Sequence, residues 1–238
     1  MAFVQKTSRI TGSSVDSASG SFSSLPSAGN FIVVGISVFN SSADLPAGCV
    51  TDNQGNTYTR AVRGPVHATN TVPAIFYAEN IGSPSGTFTV TVDPSGTGNY
   101  IEFSAAEFSA MATSSSLDKT QTNEGDSATP TSGTTAATTQ ADELVLAVLA
   151  TGNSSSALGI DLPSGFTNIT INQDESATVG HSFDYQIIAA TGTQLADWGS
   201  VVVSNDPWSA CIATFKAAGG AAAVSRRTFG GRVGSRSA

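Results

Sequence analysis

Two imidazoles, His67 and His181, are the only ones in this 238-residue chain, and they bound the nucleophilic chemistry open to it. A serine hydrolase needs an imidazole held between a hydroxyl and a carboxylate. Serine is so frequent here that nearness in sequence selects no nucleophile, and no G-x-S-x-G elbow is present. His67 follows Gly64-Pro65-Val66 in a loop-like stretch, and His181 opens an apolar strand pattern. Both read as structural or solvent-facing histidines.

The carboxylates give no better handle. Glu102 and Glu107 share one strand pattern at an odd spacing, which sends them to opposite faces. They therefore cannot form the close pair, about 5–9 Å apart, that glycosidases use. A pair taken from two strands, such as Glu79 with Glu102, is selected by no spacing. Asp52-Asn53-Gln54-Gly55-Asn56 gathers oxygen-bearing side chains around a glycine, as calcium loops do. It lacks the D-x-D-x-D-G rhythm and the downstream bidentate Glu, and reads as a hairpin turn. Asp93 and Asp161 also sit in turns. No catalytic residue, metal or cofactor is predicted, and the chain is expected not to be an enzyme.

Trp198 and Trp208 flank the loop Gly199–Pro207. Indoles on a loop rim stack on sugar rings, so these two are the candidate sugar-binding residues and host glycans the corresponding candidate partner. Tyr58, Tyr77, Tyr100 and Tyr185 fall on strand alternations and read as core. Cys49 and Cys211 make one disulfide arithmetically possible but no framework. Cys211 lies inside a strand pattern, where cysteine behaves as a small buried apolar side chain.

Charge is scarce. Only 12% of residues are charged and 39% are apolar, against about 25% charged in ordinary domains. Solubility must come from Ser, Thr, Asn and Gly, a composition associated with extracellular, virion and adhesive proteins. The net charge of −8 conceals a split. Residues 218–238 (AGGAAAVSRRTFGGRVGSRSA) carry Arg226, Arg227, Arg232 and Arg236 and no acid, which leaves the body six basic and eighteen acidic side chains, or −12. Such a body argues against nucleic acid, whose phosphates require clustered Lys and Arg. The tail cannot bury enough apolar surface to order itself. Arg226, Arg227, Phe229, Arg232 and Arg236 are its candidate docking residues, suited to an acidic protein surface. No run approaches the ~20 apolar residues of a membrane span. The opening MAFVQKTSRI lacks a signal-peptide core, so synthesis in the cytoplasm and release by lysis or a dedicated exporter are expected.

The elements that position these residues are strands. Asp142–Thr151 (DELVLAVLAT) is the longest nearly unbroken apolar run, with a counterpart in Asn30–Asn40 (NFIVVGISVFN). Each reads as a central strand covered on both faces. Ala2–Ile10 reads as an edge strand, and Thr11–Asn30 as a loop with a weak strand. Further strands are expected at 49–51, 57–62, 72–79, 87–92 and 100–110. The order then recurs: 144–151, 167–171, 179–189, 201–204 and 208–217. Phe183-Asp184-Tyr185 matches Ile75-Phe76-Tyr77. Lys6-Thr7, Ser19-Gly20 and Phe31 fall on Lys119-Thr120, Ser132-Gly133 and Leu144 at a constant shift of 113. Ala112–Pro130 reads as a polar link. The expected fold is all-β: two tandem antiparallel β-sandwich lobes, jelly-roll or Ig-like, from an internal duplication. Lobe one spans 1–112, lobe two 113–217, and the Gly/Ala/Arg-rich tail 218–238.

The FIVVGIS strand, the TDNQGNTY turn, the IFYAEN strand, a short T/V strand and the closing EFSAAEFSA strand resemble tandem β-sandwich repeats of uncharacterised bacterial and phage surface proteins. The resemblance covers 30–110 closely and 140–217 loosely. It rests on motifs of fold, so no functional residue carries over. The missing signal-peptide core, the low-charge Ser/Thr/Gly-rich composition, the doubled lobe and the arginine tail together lead to the expectation of a non-enzymatic virion structural protein, a bacteriophage decoration, tail or fibre-associated subunit. Its partners would be other virion or surface proteins, including further copies of itself, and its location the virion or another extracellular surface, with no nucleic acid and no membrane. The alternative expectation is a carbohydrate-binding module or adhesin.

Overall fold

The computed structural model describes residues 1–39, 45–67, 71–152, 159–172, 179–199 and 207–219. Among them the chain is all-β, with fourteen strands in three antiparallel sheets and no helix. The two apolar runs become β4 (Phe31–Phe39) and β11 (Glu143–Gly152). Continuous apolar sequence leaves a strand no solvent face, so each can sit only where both faces are covered. Every residue of β11, and all but Phe39 of β4, is buried.

Each run is the middle of a sheet. The first large sheet runs β1 (Ala2–Lys6), β9 (Asn99–Ser109), β4, β7 (Thr71–Ala78), β6 (Thr59–Arg63), with β2 (Ile10–Val15) also on β9. The second runs β10 (Leu117–Gly125), β14 (Trp208–Lys216), β11, β13 (Val179–Ile188), β12 (Thr167–Asn172). The third is small: β3 (Ala18–Ser21), β8 (Thr89–Val92) and β5 (Val50–Asp52). The two large sheets repeat one order of connection. Phe31 pairs with Phe108 as Leu144 pairs with Phe215, and Val33 pairs with Tyr77 as Leu146 pairs with Tyr185.

The sheets stack as layers. Ile32, Val34, Ile36, Phe76 and Phe103 pack with Val90 and Val92 of the small sheet and with Phe88 just before it. The opposite residues of the same strands, Phe31, Val33, Ile75 and Phe108, face Leu144, Leu146, Val148, Phe183 and Phe215 of the second large sheet. This is the alternation of a strand used on both faces. The two halves of the chain thus share one apolar layer. At its centre the rings of Phe31, Tyr77 and Phe215 meet with centroids 5.0–5.6 Å apart. The far face of the second sheet, lined by Val145, Ala147, Leu149 and Ile212, packs on Ile160, Phe166, Ala196 and Trp198. Its cover is an irregular ribbon whose rungs are Ser132 to Ala196, Thr135 to Gln194 and Thr138 to Gly192.

The polar link expected over Ala112–Pro130 contains an edge strand, β10, paired with β14 over most of its length. Its sequence, LDKTQTNEG, has one apolar residue, because an edge strand needs little burial once a neighbour supplies its hydrogen bonds. The expected strand at 201–204 lies outside the described residues. The inner pairings of both large sheets run without interruption. The flanking pairings, those of β1, β2, β6, β10 and β12, each contain a register irregularity. Bulged edges resist the addition of a foreign strand. Lys6 also donates from Nζ to the carbonyl of Ile169 on β12, tying the flanks of the two sheets together.

Candidate functional site

Stacking the sheets brings a serine and a histidine together across the seam. Ser37 lies near the end of β4, His181 near the start of β13, and Ser37 Oγ is 2.7 Å from His181 Nδ1. Glu102 is the register partner of Ser37 on β9. Its Oε2 accepts from Thr11 Oγ1 at 3.1 Å and lies 3.8 Å from Arg9 Nε. Serine, histidine, glutamate and arginine therefore converge at one place, although no spacing in the sequence joins positions so far apart.

The arrangement does not make a catalytic triad. Ser37 and His181 are both fully buried, so no substrate reaches the hydroxyl. Among the described residues no hydrogen-bond partner is present at His181 Nε2, and the nearby glutamate faces Arg9 and Thr11 instead. A general base needs its second ring nitrogen held by an orienting group. Burial, with the Arg9 charge adding to it, pulls the His181 pKa down to about 3, so the ring is neutral under ordinary conditions. What the four residues can do is fix the two sheets to one another.

His67 also bridges the two halves, at the rim. Its Nδ1 lies 3.1 Å from Glu124 Oε2 and its Nε2 2.9 Å from Asp126 Oδ1. Only the doubly protonated ring donates from both nitrogens. Partial burial works against that charge, but the hydrogen bonds and charges of Asp126 and Glu124 outweigh it, and the pKa is raised. The same loop is seated by Ser209 Oγ, which donates to the Pro65 carbonyl at 2.8 Å.

The remaining acids are engaged one at a time. Glu107 is fully buried and accepts from Gln5 Nε2, the Ser27 amide and Asn30 Nδ2 at 2.6–2.7 Å. Glu102 points to the opposite face, as its odd spacing requires. Glu79 accepts from the Ser116 amide at 2.7 Å at the other end of the sheet from Glu102, about 20 Å away along the strands. The two cannot act as a pair. A carboxyl pair missed in the sequence is Asp118 with Glu143. Burial works upward on Asp118, yet hydrogen bonds from the Thr139 amide and hydroxyl and from Lys119 hold it at about 2. Burial, aided by the Asp118 charge, raises Glu143. Glu143 is fully buried, so this pair too is sealed from substrate.

Asp184 is a third buried centre. It accepts from Ser182 Oγ and Trp198 Nε1 through Oδ2 (2.7 and 2.9 Å) and from Asn168 Nδ2 through Oδ1 (2.7 Å). Burial lifts its pKa to about 6 against those three donors. Here the structure corrects the sugar-rim reading of the tryptophans. Trp198 is 0% and Trp208 3% exposed, both within the third apolar layer. Trp208 Nε1 donates to the Ser127 carbonyl at 2.9 Å. Interior rings with their N–H groups occupied offer no stacking face.

The Asp52 turn holds its oxygens internally. Oδ1 accepts from the amides of Gln54 and Asn56, and Oδ2 from Asn56 Nδ2 and Tyr58 Oη. Gly55, at φ 80°, takes the left-handed conformation the turn needs. Cys49 and Cys211 are both buried, in different apolar layers, and are not joined in a disulfide. Burial pushes the Cys211 thiol far up, as expected of an inert core cysteine. Among the described residues no cluster of three or more His, Cys, Asp and Glu could hold a metal, and no helix is long and apolar enough to cross a membrane. The docking candidates Arg226, Arg227, Phe229, Arg232 and Arg236 lie outside the described residues.

The chain matches no known protein family, no curated protein and no solved structure.

Proposed function

We propose that this chain is a non-enzymatic structural subunit of a virion, a bacteriophage decoration, tail or fibre-associated protein. It is a rigid stack of sheets that docks on an acidic neighbouring protein through its arginine-rich tail. The observation that carries this reading is where the polar side chains go. Ser37, Glu102, Glu107, Glu143, His181 and Asp184 are all buried between or behind the sheets. Groups so placed fix the register and separation of layers; a surface built for turnover would hold some of them in a cleft.

An internal duplication fits the repeated strand order and registers of the two large sheets. The ribbon rung from Ser132 fits it as well, since Ser132-Gly133 corresponds to Ser19-Gly20 of β3. Duplication of a sheet that can be covered on both faces builds a thick, stiff body from one template. Irregular flanks disfavour assembly by strand addition, which leaves the tail as the means of docking.

The test is incorporation. Virions assembled with a chain ending at Gly219 should lack the subunit while the truncated protein keeps its melting temperature. Docking of the full chain should weaken as salt rises through the physiological range. Normal incorporation of the truncated chain would overturn the docking role.

A further inference from the structure

The two histidines both lie on the seam between the large sheets, in opposite surroundings. His67 is clasped at the rim between two carboxylates, and His181 is fully buried inside beside a serine. We propose that the seam is a pH-gated joint: acid parts the two large sheets by charging His181, while the His67 clasp secures the rim until rising pH removes its charge.

The geometry sets the signs. Ser37 of β4 touches His181, and the charge of Arg9, from the connection between β1 and β2 and paired with Glu102 of β9, acts on it. Its register partners on β11 and β12, Ala150 and Asn172, are not titratable. Glu102 is turned toward Arg9 and Thr11. Ser37 Oγ serves Nδ1, so the charged ring would carry an N–H at Nε2 with no acceptor among the described residues, and would feel the like charge of Arg9. Its folded pKa of about 3 lies below the ordinary 6.5. The open state therefore takes up the proton first, and closure weakens by about tenfold for each pH unit between 6.5 and 3. His67 behaves oppositely. Glu124 and Asp126 face it from β10 and the turn that follows, and its raised pKa means that the charge holding the clasp persists above the ordinary 6.5 and is lost as pH rises through the raised value.

Asp184 explains why ordinary unfolding curves would hide the joint. Its folded pKa, about 6, is above the usual 3.8. Protonating it favours the folded chain over the same acid range and offsets His181 in global unfolding. Asp184 sits on the far face of β13, bonded to Trp198 behind the sheet. Parting the seam leaves it undisturbed, so seam opening registers His181 without that offset.

The two cysteines report the layers separately. Cys211 lies in the seam layer and Cys49 in the layer between the first and small sheets. With an aromatic disulfide reagent that reacts in acid, labelling of Cys211 in the full chain should accelerate relative to Cys49 as pH falls from 7 to 4.5, approaching tenfold per unit. Arg9→Gln, at an exposed position, should weaken this acceleration, because without the opposing charge the closed seam tolerates the proton better. His181→Gln should abolish it. Histidine NMR titrations of the unaltered chain should place His181 well below 6.5 and His67 above it. Equal acceleration at both cysteines, no effect of Arg9→Gln, or a His181 titration at 6.5 or higher would each overturn the proposal. The NMR arm decides the matter even if His181→Gln fails to fold.

Discussion

The ring of Phe183, on β13, rests directly on Gly35, on β4. A Cβ built at Gly35 would fall 2.4–2.6 Å from three carbons of that ring. The absence of a side chain at one position is thus what admits the phenyl ring of the facing strand, and the pair sets how closely the two large sheets approach.

Gly35→Ala should force the sheets apart or the ring off its rotamer, at a cost of about 1–3 kcal/mol, the usual range for overpacking. Phe183→Ala should cost about 3–5 kcal/mol by leaving a cavity. Because the second change makes room for the first, the double variant should be markedly more stable than the sum of the two losses. Urea unfolding of the four proteins in a double-mutant cycle measures this coupling. Additivity would mean that the two positions do not set the spacing.

Trp198→Ala and Trp208→Ala should each destabilise by about 3–5 kcal/mol, since both rings are core residues. Trp198→Ala should be the worse tolerated of the two, because it also removes a donor from the buried Asp184. A glycan array should report no binding that either change abolishes while the fold survives. Retained stability with lost glycan binding would return the tryptophans to a surface role.

How much of this was legible beforehand depended on where the physical signal lay. β4 and β11 were visible because burial on both faces demands continuous apolar sequence. The opposite faces of Glu102 and Glu107 followed from strand parity alone. β10 was hidden because an edge strand bonded to one neighbour needs almost no apolar residues, although the match of Lys6-Thr7 with Lys119-Thr120 marked two corresponding edge strands. The tryptophans misled because flanking a loop in sequence says nothing about which way a ring turns. Ser37 and His181 could not have been joined at all: their meeting depends on how one sheet lies over another, which no local pattern encodes.

Asp52→Ala should cost about 1–3 kcal/mol, because the Gln54 and Asn56 amides and the Tyr58 hydroxyl lose their shared acceptor. The melting temperature of the unaltered chain should not respond to millimolar calcium or to a chelator. A rise with calcium would show that the carboxylate is free to coordinate.

Neither thiol should react with Ellman's reagent in the folded protein at neutral pH, since Cys49 and Cys211 are 3% and 0% exposed. Reductant should leave the melting temperature unchanged. A shift on reduction would reveal a disulfide linking two apolar layers that the fold keeps apart.

The shared apolar layer is the claim on which the rest depends, and native-state hydrogen exchange tests it most directly. Amides of β4 and β11 should exchange with one common free energy, equal to that of global unfolding measured in urea, because neither large sheet keeps its inner face covered without the other. Exchange of the β11 sheet at a distinctly lower free energy, with β4 still protected, would contradict it and show two bodies joined only by chain.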